Sequence, residues 1–128
     1  MSPARTVLVI EDDLDIAEAM LDVLMDDGYE VAHASNGREA LELLHSQPRP
    51  AVILLDLMMP EMDGAQFREA QLRDPTIAEI PVIVLSADRK VAEKARELGV
   101  DTFLVKPLGP EQLLAQIERT RHEQLSVA

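Results

Sequence analysis

A chain of 128 residues is long enough for one compact domain with a real core and too short for a second of ordinary size. With no Trp, no Cys, one Tyr and two Phe, that core must be aliphatic, and neither a disulfide framework nor a thiol metal site is available. The net charge of -12 without a Lys/Arg cluster argues against direct nucleic-acid binding, and no apolar run approaches the roughly 18 residues that span a bilayer.

The N-terminus has no signal-peptide h-region and leads into Val7-Leu8-Val9-Ile10, a first strand. Glu11, Asp12 and Asp13 follow it, opening a stretch to Glu30 that holds nine acidic residues and no basic one. Ile16, Met20, Val23 and Leu24 recur at three and four, the period of a first helix, which Gly28 stops. Glu30 to Ala34 is a weaker strand whose Glu30 and His33 suit an edge. Asn36-Gly37-Arg38-Glu39 resembles a capping box and opens a second helix with Ala40, Leu41 and Leu44 inward. Val52-Ile53-Leu54-Leu55 is the third strand, ending at Asp56. Asp63 caps a third helix and Pro75 lies past its end. Val82-Ile83-Val84-Leu85 precedes Ser86; Ala92, Ala95 and Leu98 mark a fourth helix before Gly99. Thr102-Phe103-Leu104-Val105 precedes Lys106, and Pro110 suits the first turn of a last helix carrying Leu113, Leu114 and Ile117. The stretch from about Arg121 to Ala128 reads as a frayed tail.

The four continuous apolar runs predict strands buried on both faces. Their strict alternation with helices predicts an α/β fold, a doubly wound five-stranded parallel sheet of order 2-1-3-4-5 flanked by five helices. Ligands of such sheets bind beyond the carboxyl ends of the strands, at the switch point. Glu11, Asp12, Asp56, Ser86 and Lys106 all follow central strands, so the fold would gather them on one rim. Taken singly, each has a plain structural reading: a helix cap, a turn, a solvated charge. Together they suggest more. Two like charges 4 Å apart at an effective dielectric near 20 repel by roughly 4 kcal/mol, a cost that a hard divalent cation removes. Lys106 would add positive charge and Ser86 a hydroxyl donor, with Asp56 the nucleophile of a phosphoryl transfer. His33, His45 and His122 lie far apart in sequence and away from the predicted rim, and read as structural, and Met58, Met59 and Met62 as loop or core fillers.

These motifs resemble the receiver domains of two-component response regulators, in particular single-domain, chemotaxis-regulator-like ones. The resemblance rests on Val9-Ile10-Glu11-Asp12-Asp13, on Asp56-Leu57-Met58-Met59-Pro60-Glu61-Met62-Asp63-Gly64, on Ser86-Ala87 and on Lys106-Pro107, and it runs from about Thr6 to Glu118. It implies a flavodoxin-like receiver domain over residues 1–128, with its core at about 6–120 and no output domain in view. It implies Asp56 as phosphoacceptor and Mg2+ as cofactor, held by Asp12, Asp56, the Met58 backbone carbonyl and, through water, Glu11. Lys106 would contact the phosphoryl group and be followed by a usually cis Lys106-Pro107 bond, Ser86 and Phe103 would be the switch pair, and Pro60 and Gly64 would shape the loop after Asp56. The protein would be a cytoplasmic signalling switch rather than an enzyme. A sensor histidine kinase or histidine phosphotransfer protein would act upstream, and an unknown protein target would meet the face of the fourth helix, last strand and last helix. Neither a membrane nor nucleic acid would be a direct partner. The interval from Ser86 to Lys106 is about two residues shorter than in many receivers, so the fourth helix is expected to differ; Met58 and Asp88 occupy positions that tune phosphoryl lifetime. Two alternatives stand beside this reading: a metal-dependent aspartyl phosphatase of haloacid-dehalogenase type, which would want an Asp where Met58 stands, and a degenerate receiver serving as an interaction domain.

Overall fold

Aliphatic and β-branched runs become strands, and the amphipathic stretches between them become the helices that cover those strands. In the computed structural model, which describes residues 5–57, 63–107 and 109–126, the elements in chain order are β1 (Thr6–Ile10), α1 (Leu14–Asp26), β2 (Glu30–Ala34), α2 (Gly37–Ser46) and β3 (Val52–Asp56), then α3 (Gly64–Arg73), β4 (Val82–Ser86), α4 (Val91–Glu97), β5 (Thr102–Val105) and α5 (Pro110–Ser126). All neighbouring strands pair in parallel, in the order β2-β1-β3-β4-β5. The chain leaves β1 toward one edge and returns to its other side, so the switch point lies between β1 and β3.

Because side chains alternate along each strand, the sheet splits its apolar residues between two cores. Leu8, Ile10, Ile53, Leu55, Val82 and Val84 meet α2, α3 and α4 through Ala40, Leu44, Phe67, Val91 and Ala95. Val7, Val9, Val52, Leu54, Ile83 and Leu85 meet α1 and α5 through Met20, Leu24, Leu113 and Ile117. Every residue of β3 and β4 is buried, as continuous apolarity predicts. Full burial of such a side chain contributes about 1.5–3 kcal/mol to stability.

Local chemistry sets the helix ends. Asn36 accepts the Glu39 amide at 2.9 Å, while the Glu39 carboxylate reaches one residue further back than in a standard capping box, to the Ser35 amide at 3.1 Å. Asp63 and Gln66 complete a reciprocal capping box on α3. Gly28 and Gly99 follow α1 and α4 at φ 89° and 73°, where a Cβ would be strained.

Three expectations need correction. β5 is not covered on both faces: at the sheet edge, Phe103 and Val105 are 39% and 49% exposed. Phe103 pairs in register with Val84 and so shares its face, but α4, the shortest helix at seven residues, leaves it uncovered. The short Ser86–Lys106 interval is thus matched by a short α4. Ile16 is 37% exposed, and Ala17 takes the inward place in the first turns of α1. Finally, α5 continues through the expected frayed stretch to Ser126. Arg121 Nη1 donates to Glu118 at 2.9 Å, and its guanidinium lies over the Tyr29 ring, 5.4 Å from the centroid, as that of Arg5 does at 4.5 Å.

Candidate functional site

Parallel register brings the ends of β1, β3, β4 and β5 to one rim. Ile10 pairs with Leu55, Asp56 with Leu85 and Ser86 with Val105, so the residues that follow are neighbours. Glu11 stands directly after β1, is 1% exposed, and extends the pairing with β2 by donating its amide to Ala34 O at 3.0 Å. Asp12 is exposed. Asp13 turns away to cap α1, accepting the amides of Asp15 and Ile16 at 3.0 and 3.2 Å. The run of three acids therefore divides into two rim carboxylates and a helix cap. Asp56, the last residue of β3, is 4% exposed.

Lys106 reaches across from the end of β5. Its Nζ donates to Glu11 Oε1 at 2.6 Å and to Asp56 Oδ2 at 3.3 Å. Its amide donates to Ser86 O at 2.9 Å, and the Lys106-Pro107 bond is cis. Burial, reinforced by the Asp56 carboxylate beside it, raises the Glu11 carboxyl well above its ordinary range, and Lys106 only partly opposes the shift. Burial also works against the Lys106 ammonium, but Glu11 and Asp56 outweigh it and keep that group charged above its usual range. One ammonium therefore faces two buried carboxylates, an excess of negative charge that a further cation would relieve.

The donor set suits such a cation. Glu11, Asp12 and Asp56 can each offer an oxygen within 4.8 Å of the other two. An all-oxygen site with one exposed side fits a hard ion that retains water, as Mg2+ does. The Met58 carbonyl, expected as a further ligand, lies outside the described residues, as does Pro60. Ser86 is 2% exposed, and its Oγ accepts the Asp88 amide at 3.1 Å. Asp88 is tethered in turn by Lys94 Nζ at 2.6 Å, which holds its carboxyl below the ordinary range. Phe103 stands apart from this cluster on the outer strand. Beside Lys106 opens an apolar groove of about 510 Å³ between α1 and the start of α5, lined by Ile16, Met20, Val23, Pro107, Pro110 and Leu113.

His33 was expected to be remote, yet its Nε2 lies 2.8 Å from Glu11 O. Only the β1–β2 register, which pairs Val9 with His33, reveals this proximity. His45 binds Asp74 at 2.8 Å, away from the rim.

Comparison with known proteins agrees with this fold and gives its family. Residues 7–118 match the family model for the response regulator receiver domain. The response regulator MprA of Mycolicibacterium vanbaalenii is 41% identical over 117 residues, which cover 90% of this chain and 49% of that protein. The phosphate regulon transcriptional regulatory protein PhoB of Escherichia coli is 35% identical over 117 residues, 90% of this chain and 51% of that one. The chain thus spans about half the length of the curated relatives it matches. Among solved structures, the chemotaxis response regulator CheY4 of Vibrio cholerae superposes with a TM-score of 0.82 at 32% identity, covering 90% of this chain and 97% of that one. The signal receiver domain of a signal transduction histidine kinase from Syntrophus aciditrophicus has a TM-score of 0.82 at 34% identity, covering 92% and 90%.

Proposed function

The chain belongs to the response regulator receiver domain family, and from that membership we propose that it is a phosphorylation-controlled switch whose phosphoacceptor is Asp56. The observation that carries the residue assignment is the meeting of Asp56, Glu11, Asp12 and Lys106 at the carboxyl end of the sheet. The donor is a phosphohistidine on a sensor histidine kinase or phosphotransfer protein. An Asp56 carboxylate oxygen attacks phosphorus, an O–P bond forms, the N–P bond breaks, and its electron pair stays on the departing imidazole. Water later hydrolyses the acyl phosphate and restores the carboxylate.

The residues around Asp56 divide the work of positioning and charge neutralisation. Lys106 keeps its ammonium within reach of the Asp56 carboxylate, where it offsets charge gathering on the phosphoryl oxygens. Ser86, buried at the neighbouring strand end, offers its hydroxyl hydrogen while its oxygen accepts the Asp88 amide. Asp12 and Asp56, with Glu11 through water and Met58 through its carbonyl, would hold Mg2+; when bound, that ion supplies charge neutralisation for the transferred group. Phosphorylation would draw Ser86 and its loop inward, and Phe103, exposed on the same sheet face, would turn into the space that opens. The α4–β5–α5 face then changes its affinity for a protein target. No helix among the described residues is long and apolar enough to cross a membrane; we place the domain in the cytoplasm, where its kinase would supply the phosphoryl group. The family assignment does not favour the phosphatase reading.

Intact-mass spectrometry after incubation with acetyl phosphate and Mg2+ tests the proposal. One added phosphoryl group that requires Mg2+ and is lost in Asp56→Asn is expected. An adduct that persists in the variant would move the acceptor elsewhere. Absence of any adduct, together with no binding of beryllofluoride, would leave an interaction domain in its place.

A further inference from the structure

We infer that His33 is a positioning residue for the acidic pocket: its Nε2–H donates to the Glu11 carbonyl and fixes the peptide that joins Glu11 to Asp12. The inference rests on the reading of Glu11, Asp12 and Asp56 as a Mg2+ site, and adds to it a residue on the edge strand that contributes no oxygen ligand.

The geometry assigns the role. β1 ends its pairing with β3 at Ile10 and Leu55, so Glu11 has left that ladder. Its amide is still held by Ala34 O at 3.0 Å. No described backbone N–H donates to its carbonyl, and His33 Nε2, at 2.8 Å, takes that part. A carbonyl can only accept, so the hydrogen sits on Nε2. With its amide and carbonyl both tied to β2, Glu11 is anchored on either side of its Cα. The pinned peptide plane sets the directions in which two of the three rim carboxylates leave the chain.

The side chains confirm how little freedom this segment has. Glu11 Oε1 accepts from Lys106, and Oε2 accepts the Asp13 amide at 3.4 Å. Asp13 is itself committed to the first turn of α1. Asp12 is different: it is exposed, and its place in the triad depends on the backbone it hangs from. Loss of the His33 bond would let the Glu11–Asp12 peptide rotate and spread the oxygens before any ion arrives. Groups that orient ligands in this way typically change metal affinity by about 10–100-fold when removed.

The test compares His33→Gln with His33→Met. Both side chains place their fourth atom beyond Cα where the imidazole places Nε2, but only Gln has an N–H to donate. Mg2+ dissociation constants come from amide chemical-shift titrations of the wild-type, Gln and Met proteins, with melting temperatures measured in the absence of Mg2+. The expected result is about tenfold weaker Mg2+ binding in H33M and near wild-type binding in H33Q, with the two variants melting together. A packing role alone would not separate these two. Should H33M fail to fold, His33→Phe, planar and without a donor, takes its place in the comparison. Wild-type affinity in the donor-less variant overturns the role of His33 and leaves the Mg2+ site intact. A wild-type protein that shows no Mg2+ response removes the site itself, and His33 with it.

Discussion

At the scale of single residues, close approach matters as much as charge. Gly64 opens α3 against the exit of β3: a Cβ there would lie 2.8 Å from Leu57 Cα and 3.1 Å from Asp56 O. The Gly64 amide also donates to Leu57 O at 3.2 Å, so the helix start and the strand end are fastened backbone to backbone. Gly64→Ala must therefore push α3 away or displace the peptide that carries Asp56. It is expected to destabilise the fold by about 1–3 kcal/mol and to slow phosphoryl incorporation from acetyl phosphate even where folding is complete. Urea melts beside initial rates would check this; unchanged values for both would show that the start of α3 gives way freely. The motif resemblance marked Gly64 as a loop-shaping residue, but the reason, a backbone contact between α3 and β3, exists only once the two elements are packed. His33 shows the opposite limit. A histidine between two alanines on a weak strand carries no local sign that its ring reaches the end of the strand beside it.

At the scale of elements, the edges are where sequence and fold part company. The central strands were legible because a strand buried on both faces must be apolar along its length, as β3 and β4 are up to their polar last residues and β1 is after Thr6. A four-residue apolar run reads the same whether or not helices cover both sides, so the open face of β5 was not legible. The start of the expected frayed stretch is held instead by a partner far away in sequence, Arg121 lying over the ring of Tyr29, which the local composition does not announce. The exposed face of β5 supports a direct prediction. The chain has only two Phe residues, Phe67 fully buried and Phe103 39% exposed. Fluorine labelling of phenylalanine should give two resonances, one sensitive to solvent and one not. Beryllofluoride with Mg2+ is expected to shift the solvent-sensitive signal and reduce its response to D2O, while the Phe67 signal serves as an internal reference. A Phe103 signal that stays fully solvent-sensitive on activation would rule out its inward turn.

At the scale of the molecule, two electrostatic effects pull against each other. The net charge of -12 is concentrated, with nine acids between Glu11 and Glu30, and such a surface opposes its own compaction. The site adds to that cost, because it gathers Glu11, Asp12 and Asp56 around one Lys106. Screening alone should raise the melting temperature as NaCl increases, since the Debye length falls to about 8 Å at physiological ionic strength. A bound ion acts differently. A ligand held only by the folded state stabilises it by about 2.7 kcal/mol at a hundredfold excess over its dissociation constant, so Mg2+ should raise the melting temperature beyond NaCl of equal ionic strength. Asp12→Ala separates the two effects because Asp12 contributes to both. Exposed and capping no helix among the described residues, it can be removed with relief of repulsion, and the variant should equal or exceed the wild type in low salt without Mg2+. It should then lose most of the Mg2+-specific increment while keeping its response to NaCl. If Mg2+ and ionic-strength-matched NaCl stabilise the wild type equally, the acids act as a diffuse field and the case for a built cation site at this rim is lost.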